Sequence, residues 1–323
     1  MLSTWRTAAP SVLSVTSLSH PKMSEAATCE IDLPILRERD VRLWIRREDE
    51  LFPGLSGNKY RKLKYNIREM QRGGHQTLLT FGGAFSNHIH AVAAAGRQFG
   101  FRAIGVIRGD ELAVSPLNPT LADARDAGMH LHFVSRRDYA RRQSPEYLQE
   151  LLGQFGPAYL LPEGGTNPAA VRGCAEILGE ADAGFDRVCC PVGTGGTLAG
   201  LAAAAVPGQQ VRGYASLKAS GLEASLRDWI PGKHWTLSGE FHFGGYARID
   251  ARLVRFINDF RTETGVPLDP VYTGKMLYGI LEETRRGQFQ PGTRILAIHT
   301  GGLQGIRGMN LKLGKKGLPL LQL

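Results

Sequence analysis

The sequence predicts an α/β protein with open, mainly parallel β-sheets. Short apolar runs alternate with stretches of helical length along most of the chain, which is typical of parallel strands joined by right-handed crossover helices. Several of these runs end in glycine-rich loops, and ligands bind at such strand ends in open α/β sheets. A chain of 323 residues is also long enough for two domains.

The first half of the chain shows strand-and-helix units with clear periodicity. Apolar residues alternate in the first strand, and Tyr60, Leu63 and Ile67 have helical spacing in the first long helix, which ends at Gly73-Gly74. In order, we predict strands at 41–45, 77–81, 103–107 and 131–134, and helices from about Tyr60 and at 89–99, 117–127 and 145–155.

The second half continues this alternation, with one unclear stretch. We predict helices at 171–180, 198–205, 251–264 and 275–286, and strands at 188–192, 211–215 and 294–299. The segment 217–245 has no consistent period, and we expect it to be irregular.

Composition indicates a globular protein rather than a disordered, fibrous or membrane-spanning one. Hydrophobic residues make up 42% of the chain and charged residues 21%. No apolar run reaches the roughly 20 residues that a membrane helix needs. The formal net charge of +9 suits an anionic ligand or, less specifically, nucleic acid. Because the basic residues are dispersed, we interpret them as a solvated face and expect no nucleic-acid partner.

The cysteines indicate a reducing compartment. The four cysteines show neither metal-ligand spacing nor a disulfide framework. Cys189 and Cys190 are adjacent in a strand-like run, where neighbours point to opposite faces. We therefore expect buried free thiols and a cytoplasmic protein.

The N-terminus differs in composition from the rest. The first 24 residues contain Arg6 and Lys22 but no acidic residue, and they are rich in Ser, Thr and Ala. We predict that residues 1–26 form a disordered extension; a transit peptide and a start at Met23 are the alternatives.

Lys59 is the candidate nucleophile. It follows Gly57 by two residues, where a glycine-containing loop turns into an amphipathic helix. Such a position aims the side chain, and partial burial and cationic neighbours lower the pKa of its amine. We therefore predict that Lys59 is an activated amine.

A second glycine-rich loop follows the predicted strand 188–192 and has the sequence Gly193-Thr194-Gly195-Gly196-Thr197. Its backbone N–H groups and the N-terminus of the next helix can bind phosphate. Leu198 replaces the third glycine of a Rossmann fingerprint, and the Gly-Lys-Ser/Thr of a P-loop is missing. The alternative is a packing turn between strand and helix.

Other polar residues at strand and loop positions are candidate ligand contacts. Ser86, Asn87 and His88 come where a strand ends and a helix begins, which suits a carboxylate, although Ser or Asn also caps helices routinely. Tyr246 and Tyr272 stand in loops and can transfer protons if they lie near a lysine; otherwise they are packing aromatics.

No metal site is expected. His88 and His90 do not share a helix face, and His130 and His132 share a strand face without a third ligand. The sequence also lacks the Gly-x-Ser-x-Gly, HEXXH and Cys-x-x-Cys motifs, which are common signatures of hydrolases, zincins and redox proteins.

Together these stretches resemble the pyridoxal-phosphate enzymes of the tryptophan-synthase-β fold, in particular the 1-aminocyclopropane-1-carboxylate deaminase and D-cysteine desulfhydrase family. The matching pieces follow the family's order and span nearly the whole chain after about residue 30: Ser56-Gly57-Asn58-Lys59 with Arg61-Lys62-Leu63, Ser86-Asn87-His88, Gly193-Thr194-Gly195-Gly196-Thr197, Asp269-Pro270-Val271-Tyr272-Thr273-Gly274-Lys275 and His299-Thr300-Gly301-Gly302. The resemblance implies fold type II, with two three-layer α/β/α domains and the cofactor in the cleft between them. The large, cofactor-binding domain would comprise 27–65 and 163–323, and the small domain 66–162.

The resemblance also implies how the cofactor, pyridoxal 5′-phosphate, is bound. Lys59 would form the Schiff base, and the loop 193–197 would hold the phosphate. Asn87 would hydrogen-bond the 3′ oxygen, and Thr300 would face the pyridine nitrogen. Lys62 would supply a positive charge that keeps Lys59 deprotonatable.

For a small amino-acid substrate, the resemblance assigns Ser86, Asn87 and His88 to binding of the carboxylate. Tyr246 and Tyr272 match the family's active-site tyrosines and, with Lys59, would be catalytic. The relatives suggest a homodimer.

Two positions bear on the substrate. The ring-opening deaminases resembled here carry glutamine at the position of His88 and, at that of Thr273, a glutamate that pairs with the pyridine nitrogen. A neutral Thr300 hydroxyl would make the cofactor a weaker electron sink, which β-elimination with a good leaving group tolerates better. Phe85 departs from the desulfhydrase pattern, which usually has glutamine there.

We therefore expect a lyase that eliminates across the α and β carbons of a D-amino acid and converts D-cysteine to pyruvate, sulfide and ammonia. One alternative is deamination of 1-aminocyclopropane-1-carboxylate to 2-oxobutanoate and ammonia. The other is a non-catalytic protein that binds the cofactor or nucleic acid.

Overall fold

The computed structural model describes residues 26–51, 54–55, 57–218, 221–230, 232 and 234–322. The disordered extension predicted at 1–26 lies outside this part of the chain except for Ala26, and Ser56 lies outside it as well. Within it there are ten β-strands: β1 (Thr28–Ile31), β2 (Arg42–Arg46), β3 (Thr77–Gly82), β4 (Arg102–Arg108), β5 (His130–Val134), β6 (Tyr159–Leu161), β7 (Arg187–Val192), β8 (Gln210–Ala215), β9 (Trp235–Ser238) and β10 (Arg294–Ile298).

The helices surround these strands. In the same described part of the chain, twelve α-helices are formed: α1 (Pro34–Glu38), α2 (Asn58–Arg72), α3 (Asn87–Phe99), α4 (Pro119–Asp126), α5 (Arg136–Ala140), α6 (Pro145–Phe155), α7 (Pro168–Ala175), α8 (Gly196–Ala204), α9 (Leu222–Trp229), α10 (Ala251–Thr264), α11 (Thr273–Arg285) and α12 (Gly305–Gly314).

The strands form two separate open sheets, as predicted. A six-stranded sheet has the order β1-β2-β10-β7-β8-β9, and a four-stranded sheet has the order β5-β4-β3-β6. All neighbouring pairs are parallel except β1 and β2, which are antiparallel. In the large sheet, the parallel register places Leu296 beside Trp44 and Val188. The predicted α/β class with mainly parallel sheets is therefore confirmed.

Each sheet is covered by helices on both faces, which makes each unit three layers thick. One face of the large sheet packs on α10 and α11, and the other packs on α7 and α8. The small sheet has α2 and α3 on one face and α5 and α6 on the other. Helix α2 also packs on α7 and therefore connects the two units. The domain boundaries predicted from the sequence stay predictions.

The adjacent cysteines illustrate how the large sheet separates two cores. Cys189 packs in the core with α10 and α11, while Cys190 packs in the core on the opposite face. The two side chains therefore point to opposite faces, as predicted, because successive residues of a strand alternate. All four cysteines are free, and Cys174, Cys189 and Cys190 are buried.

The main error of the sequence prediction is the segment 217–245. It contains α9 and the edge strand β9, although it was expected to be irregular. β9 has only four residues and pairs only with β8, so its strand conformation depends on that neighbour rather than on a local pattern.

The helix predicted at 171–180 also has different bounds. It begins at Pro168, where Asn167 accepts a hydrogen bond from the N–H of Ala170 and proline occupies the first turn, and it ends at Ala175. The strand β1 and the helices α1, α5 and α12 were not predicted.

Candidate active site

The carboxyl ends of strands from both sheets open into one cavity of about 330 Å³. Gly83 and Arg108 line it from the small sheet, and Gly193 and Thr300 line it from the large sheet. This placement agrees with the rule that ligands bind beyond the carboxyl ends of parallel strands. The predicted site residues that line the cavity are Lys59, Ser86, Asn87, His88, Gly193, Thr194, Gly195, Thr197, Tyr246, Tyr272 and Thr300.

Gly196 is the predicted site residue that does not line this cavity. A Cβ atom at its position would lie 2.9 Å from Thr166 Oγ1 and 3.2 Å from Lys62 Nζ. It therefore belongs to the glycine-rich loop but faces the side chains that support the loop.

Lys59 lies in the first turn of α2, as predicted. Gly57 precedes the helix with a φ of +72°, and a Cβ atom there would lie 2.1 Å from the carbonyl oxygen of Thr300, so only glycine fits. Lys59 Nζ donates a 2.8 Å hydrogen bond to Asn58 Oδ1. Asn58 Nδ2 in turn donates a 2.7 Å bond to Thr197 Oγ1. No role was predicted for Asn58 from the sequence, although its position beside Lys59 was a signal.

The amine of Lys59 can be neutral near physiological pH. Burial, reinforced by the positive charge of Lys62, lowers the pKa of Lys59 to about 7. A neutral amine is a nucleophile and a proton acceptor, whereas an ammonium group is neither. Burial and the charge of Lys62 therefore favour the neutral amine, and the catalytic role of Lys59 stays a prediction.

Lys62 places its amine next to the glycine-rich loop. Its side chain is 3% exposed, and Nζ donates to the carbonyl of Gly164 at 2.8 Å and to Thr166 Oγ1 at 3.0 Å. Within the described residues, no carboxylate lies within 4 Å of Lys62 Nζ. A buried cation without a counter-ion suits an anionic ligand.

The loop 193–197 has the geometry of an anion site. It connects the end of β7 to α8, and Gly195 takes a φ of +89° at the N-terminal cap of α8. A Cβ atom on Gly195 would lie 2.1 Å from Leu226 Cδ2, so this conformation requires glycine. The N–H groups in the first turn of α8 have no intrahelical acceptor and are available to a phosphate.

Ser86 and Asn87 begin α3. Ser86 Oγ accepts a 3.3 Å hydrogen bond from the N–H of Ile89, so the capping interpretation of Ser86 is correct. Asn87 Oδ1 accepts a 3.0 Å bond from Gln304 Nε2. Both residues line the cavity at the positive end of the helix dipole, where a carboxylate is stabilised.

His88 is a buried, neutral histidine whose protonation can be deduced from its partners. Thr80 Oγ1 donates its single proton to the carbonyl of Leu161 at 2.8 Å, so in its 2.8 Å contact with His88 the donor is Nε2–H. Nδ1 is therefore an acceptor, and it has no partner within the described structure. Burial and the charges of Lys59 and Lys62 hold the pKa of His88 well below its ordinary value. In this state His88 offers a carboxylate no donor.

Tyr246 and Tyr272 form a pair beside the cavity. Their ring centroids are 6.3 Å apart, with the rings in an edge-to-face arrangement. Tyr246 Oη lies 3.4 Å from the carbonyl of Phe85, to which it donates. Burial raises the pKa of Tyr272 well above its ordinary value, and the negative charge of Asp269 adds to the effect. Tyr272 is therefore a protonated phenol, which can donate but not accept a proton.

Thr273 lies outside the cavity. It is completely buried, and its Oγ1 donates a 2.7 Å hydrogen bond to Asp269 Oδ1. Asp269 also accepts from the N–H groups of Val271, Tyr272 and Thr273, so it holds the start of α11.

Glu163 is the only carboxylate among the described residues that line the cavity. Tyr139 Oη donates to it at 2.8 Å, and Arg142 Nε lies 2.8 Å from its second oxygen. No site role was predicted for Glu163 or Arg108 from the sequence. Arg108 is the last residue of β4 and Glu163 follows β6, and residues at such strand ends often contact ligands.

Within the described part of the chain, no cluster of three or more His, Cys, Asp or Glu side chains could hold a metal ion. No helix in that part is long and apolar enough to cross a membrane. His130 and His132 share a strand face, as predicted, and both pack on Phe155.

The parallel α/β fold, the deprotonatable lysine and the glycine-rich anion loop define an enzyme that binds pyridoxal phosphate. The donor set fits this cofactor, because the amine of Lys59 suits an aldehyde and the loop 193–197 with Lys62 suits a phosphate. The chain belongs to the pyridoxal-phosphate dependent enzyme family, whose sequence profile matches residues 25–301.

Known relatives agree with this assignment. The bifunctional D-cysteine desulfhydrase/1-aminocyclopropane-1-carboxylate deaminase, mitochondrial, of Arabidopsis thaliana is 30% identical over 82% of this chain and 73% of that protein. The 1-aminocyclopropane-1-carboxylate deaminase of Rhizobium radiobacter is 28% identical over 85% of this chain and 92% of its own. A solved structure of a homologue of this deaminase has a TM-score of 0.73 at 28% identity, and the match covers 91% of this chain and 93% of that one. The protein is thus a pyridoxal-phosphate-dependent lyase of a family that includes both activities.

Proposed function

We propose that this enzyme catalyses α,β-elimination on a small D-amino acid and that D-cysteine is its substrate, giving pyruvate, sulfide and ammonia. The observation that carries the proposal is the absence of a free carboxylate among the described residues of the cavity wall. Thr273, where the deaminases resembled by this chain have a glutamate, is buried against Asp269. Glu163 is bound by Tyr139 and paired with Arg142.

Because no free carboxylate lines the described part of the cavity, we propose that the side chain of Thr300 faces the pyridine nitrogen. A neutral hydroxyl stabilises a protonated pyridine less than a carboxylate does, because it carries no charge. The bound cofactor would then delocalise a carbanion less effectively. Elimination of a good leaving group such as a thiol tolerates this better than opening of a cyclopropane ring does.

The cofactor would be held by residues already in place. When bound, pyridoxal phosphate acts as an electron sink that makes the proton on the substrate's α-carbon acidic. Lys59 would hold the aldehyde, Asn87 the 3′ oxygen, and the loop 193–197 with Lys62 the phosphate. Asn58 would keep Lys59 aligned with this loop through its bonds to Lys59 Nζ and Thr197.

Proton transfers would use the lysine and the tyrosine pair. Once the substrate's amine has taken its place on the aldehyde, Lys59 Nζ is again a free amine, with a pKa of about 7, and would accept the α-proton. Tyr272 and Tyr246 are protonated and can donate to the departing sulfur, so that the C–S bond breaks with its electron pair going to sulfur. Water then hydrolyses the released enamine to pyruvate and ammonia.

Ser86, Asn87 and the first-turn N–H groups of α3 would hold the substrate carboxylate, and His88 Nδ1 would accept a hydrogen bond.

The test is a comparison of products. The purified enzyme with pyridoxal phosphate is given D-cysteine, L-cysteine and 1-aminocyclopropane-1-carboxylate, and sulfide and 2-oxobutanoate are measured. We expect sulfide from D-cysteine and little 2-oxobutanoate. Release of 2-oxobutanoate without sulfide would overturn the proposal in favour of ring-opening deamination. Lys59→Ala, the control, should abolish both turnover and the visible absorption of the bound cofactor.

We also propose that the enzyme is a homodimer in the cytoplasm. The resemblance to the family supports the dimer, and the free, mostly buried thiols support a reducing compartment. Size-exclusion chromatography with light scattering tests the dimer, and a monomer would contradict it.

A further inference from the structure

A second cavity, of about 330 Å³, lies between the loop that carries Tyr246 and the end of α12. Three cationic side chains line it: Arg248 from the loop, and Lys312 and Lys316 from α12 and the turn that follows it. No acidic residue of the described chain lines this cavity, and it shares no lining residue with the active-site cavity. It is therefore a separate, positively charged cavity.

The three cations come together from two elements. Lys312 and Lys316 are four residues apart, and the N–H of Lys316 still bonds to the carbonyl of Leu313, so the two lysines lie on one side of the helix end. Lys312 Nζ donates a 3.0 Å hydrogen bond to the carbonyl of Ala247, the residue before Arg248. The dipole of α12 favours lysines at its C-terminus, but it does not explain Arg248, which belongs to the loop.

Acidic side chains do not neutralise these cations. Within the described residues, no carboxylate lies within 4 Å of the charged nitrogens of Arg248, Lys312 or Lys316. The neighbouring Asp250 pairs with Arg252 instead, at 3.7 Å. Burial lowers the pKa of Lys312, and the positive charges of Lys316 and Arg248 lower it further. Because like charges repel each other, an anion bound among the three would stabilise all of them.

The remaining wall of this cavity is mostly apolar. Phe243, Leu313 and Leu318 line it together with the cations. Ammonium and guanidinium groups bind phosphate through charge-assisted hydrogen bonds, and apolar side chains cover a hydrocarbon group that is attached to it. Small-molecule sites usually have volumes of roughly 300–1,000 Å³, so the cavity is large enough for both parts of such a ligand.

We propose that this cavity binds a small organic phosphate, with the phosphate group among Arg248, Lys312 and Lys316 and the apolar part against Phe243. A ligand held in this way bridges the loop to α12. Because the same loop carries Tyr246, which lines the active-site cavity, binding fixes part of the wall of that cavity. The inference does not depend on which substrate the enzyme accepts.

Phenyl phosphate is the probe, and inorganic phosphate and phenol represent its two halves. Each is titrated calorimetrically into the enzyme loaded with pyridoxal phosphate and freed of excess cofactor, so that the cofactor's own phosphate site is filled. The visible absorption of the bound cofactor is followed throughout. We expect one phenyl phosphate per chain, bound more tightly than inorganic phosphate, and no measurable binding of phenol. Amide hydrogen exchange in residues 243–248 should slow when phenyl phosphate is bound.

The variants are Arg248→Gln and Lys316→Gln, with Lys315→Gln as the matched control. All three side chains are exposed and each change removes one positive charge, but Lys315 does not line the cavity. Loss of a charge-assisted bond corresponds to roughly 10- to 100-fold in affinity. We expect a loss of about that size for phenyl phosphate in Arg248→Gln and in Lys316→Gln, and an unchanged affinity in Lys315→Gln.

Several results would overturn the inference. Equal losses of affinity in all three variants would show that the general charge of the surface attracts the probe. Phenol that binds as tightly as phenyl phosphate would show an apolar site in which the cations have no role. Loss of the cofactor's absorption during the titration would place the probe in the active site. Failure of phenyl phosphate to bind the unchanged enzyme at millimolar concentration would exclude a phosphate site, and unchanged hydrogen exchange with the probe bound would exclude the bridge to α12.

Discussion

The ammonium group of Lys275 donates a 2.8 Å hydrogen bond to the carbonyl of Gly245, the residue that precedes Tyr246. It also donates to the carbonyls of His242 at 2.9 Å and Ser216 at 3.1 Å. Lys275 is 1% exposed and belongs to α11, which begins directly after Tyr272. One buried cation therefore links the loop that carries Tyr246 to the helix that follows Tyr272.

Replacing Lys275 with methionine should loosen this loop. The change leaves three backbone carbonyls without their donor, which should cost about 2–4 kcal/mol of unfolding free energy. Turnover should fall roughly tenfold because a misplacement of Tyr246 by a fraction of an ångström weakens proton transfer. Urea unfolding and steady-state kinetics measure the two effects. Lys312→Met, which removes one hydrogen bond to Ala247 of the same loop, is the control and should have a smaller effect. Normal turnover in Lys275→Met would show that the loop is held by other contacts.

The pKa of Lys59 should depend on Lys62. Burial is the larger cause of its lowering to about 7, and the charge of Lys62 is the second. Lys62→Met removes a positive charge that disfavours the ammonium form, so the pKa of Lys59 should rise. In the cofactor-free protein, the rate of covalent modification of Lys59 by an amine reagent should reach half its maximum near pH 7, and in the variant at a higher pH.

The control for this experiment is Lys64→Met on the same helix. Lys64 pairs with Glu176 at 2.5 Å and does not line the cavity. Its loss should leave the pH profile of Lys59 in place. An unchanged profile in Lys62→Met would mean that burial alone sets the reactivity of Lys59.

The ion pair of Arg61 and Glu48 should anchor the start of α2. Arg61 Nε and Nη2 donate to the two oxygens of Glu48 at 2.9 Å each, and the Glu48 side chain is fully buried. Arg61→Met leaves a buried carboxylate unpaired, which should cost about 3–5 kcal/mol. In the double variant Glu48→Gln with Arg61→Met the uncompensated charge is gone, so part of the stability should return. If the double variant is less stable than Arg61→Met in urea unfolding, charge burial is not the cause.

His88 should remain neutral and protonated on Nε2. Its pKa is held well below the ordinary value by burial and by two nearby lysines. In ¹⁵N NMR of the cofactor-free protein, Nδ1 should show the signal of an unprotonated nitrogen and keep it down to pH 6. Thr80→Val removes the acceptor of Nε2–H and should change the tautomer populations. An Nδ1-protonated ring in the unchanged protein would contradict the proton assignment.

Local patterns were sufficient for elements whose signals are strong and short-range. The helix Ala251–Thr264 and the helix Pro145–Phe155 match their predicted bounds, since each has amphipathic spacing and a capping residue before it. The strand β9 had no such signal, because an edge strand of four residues depends on pairing with β8. The same reasoning explains why Arg108 and the bond from Asn58 to Thr197 were missed, since these contacts join residues that are distant in the chain.

By itself the sequence determined the fold class, the family resemblance and the candidate lysine and glycine-rich loop. These features depend on the order of short motifs and on periodicity, which are local properties of the chain. Only the tertiary structure decided the electrostatics of the site, because burial and distances between remote residues set them. It placed the amine of Lys62 next to Gly196 of the glycine-rich loop, fixed the proton of His88 through Thr80, and left Arg108 without an acid.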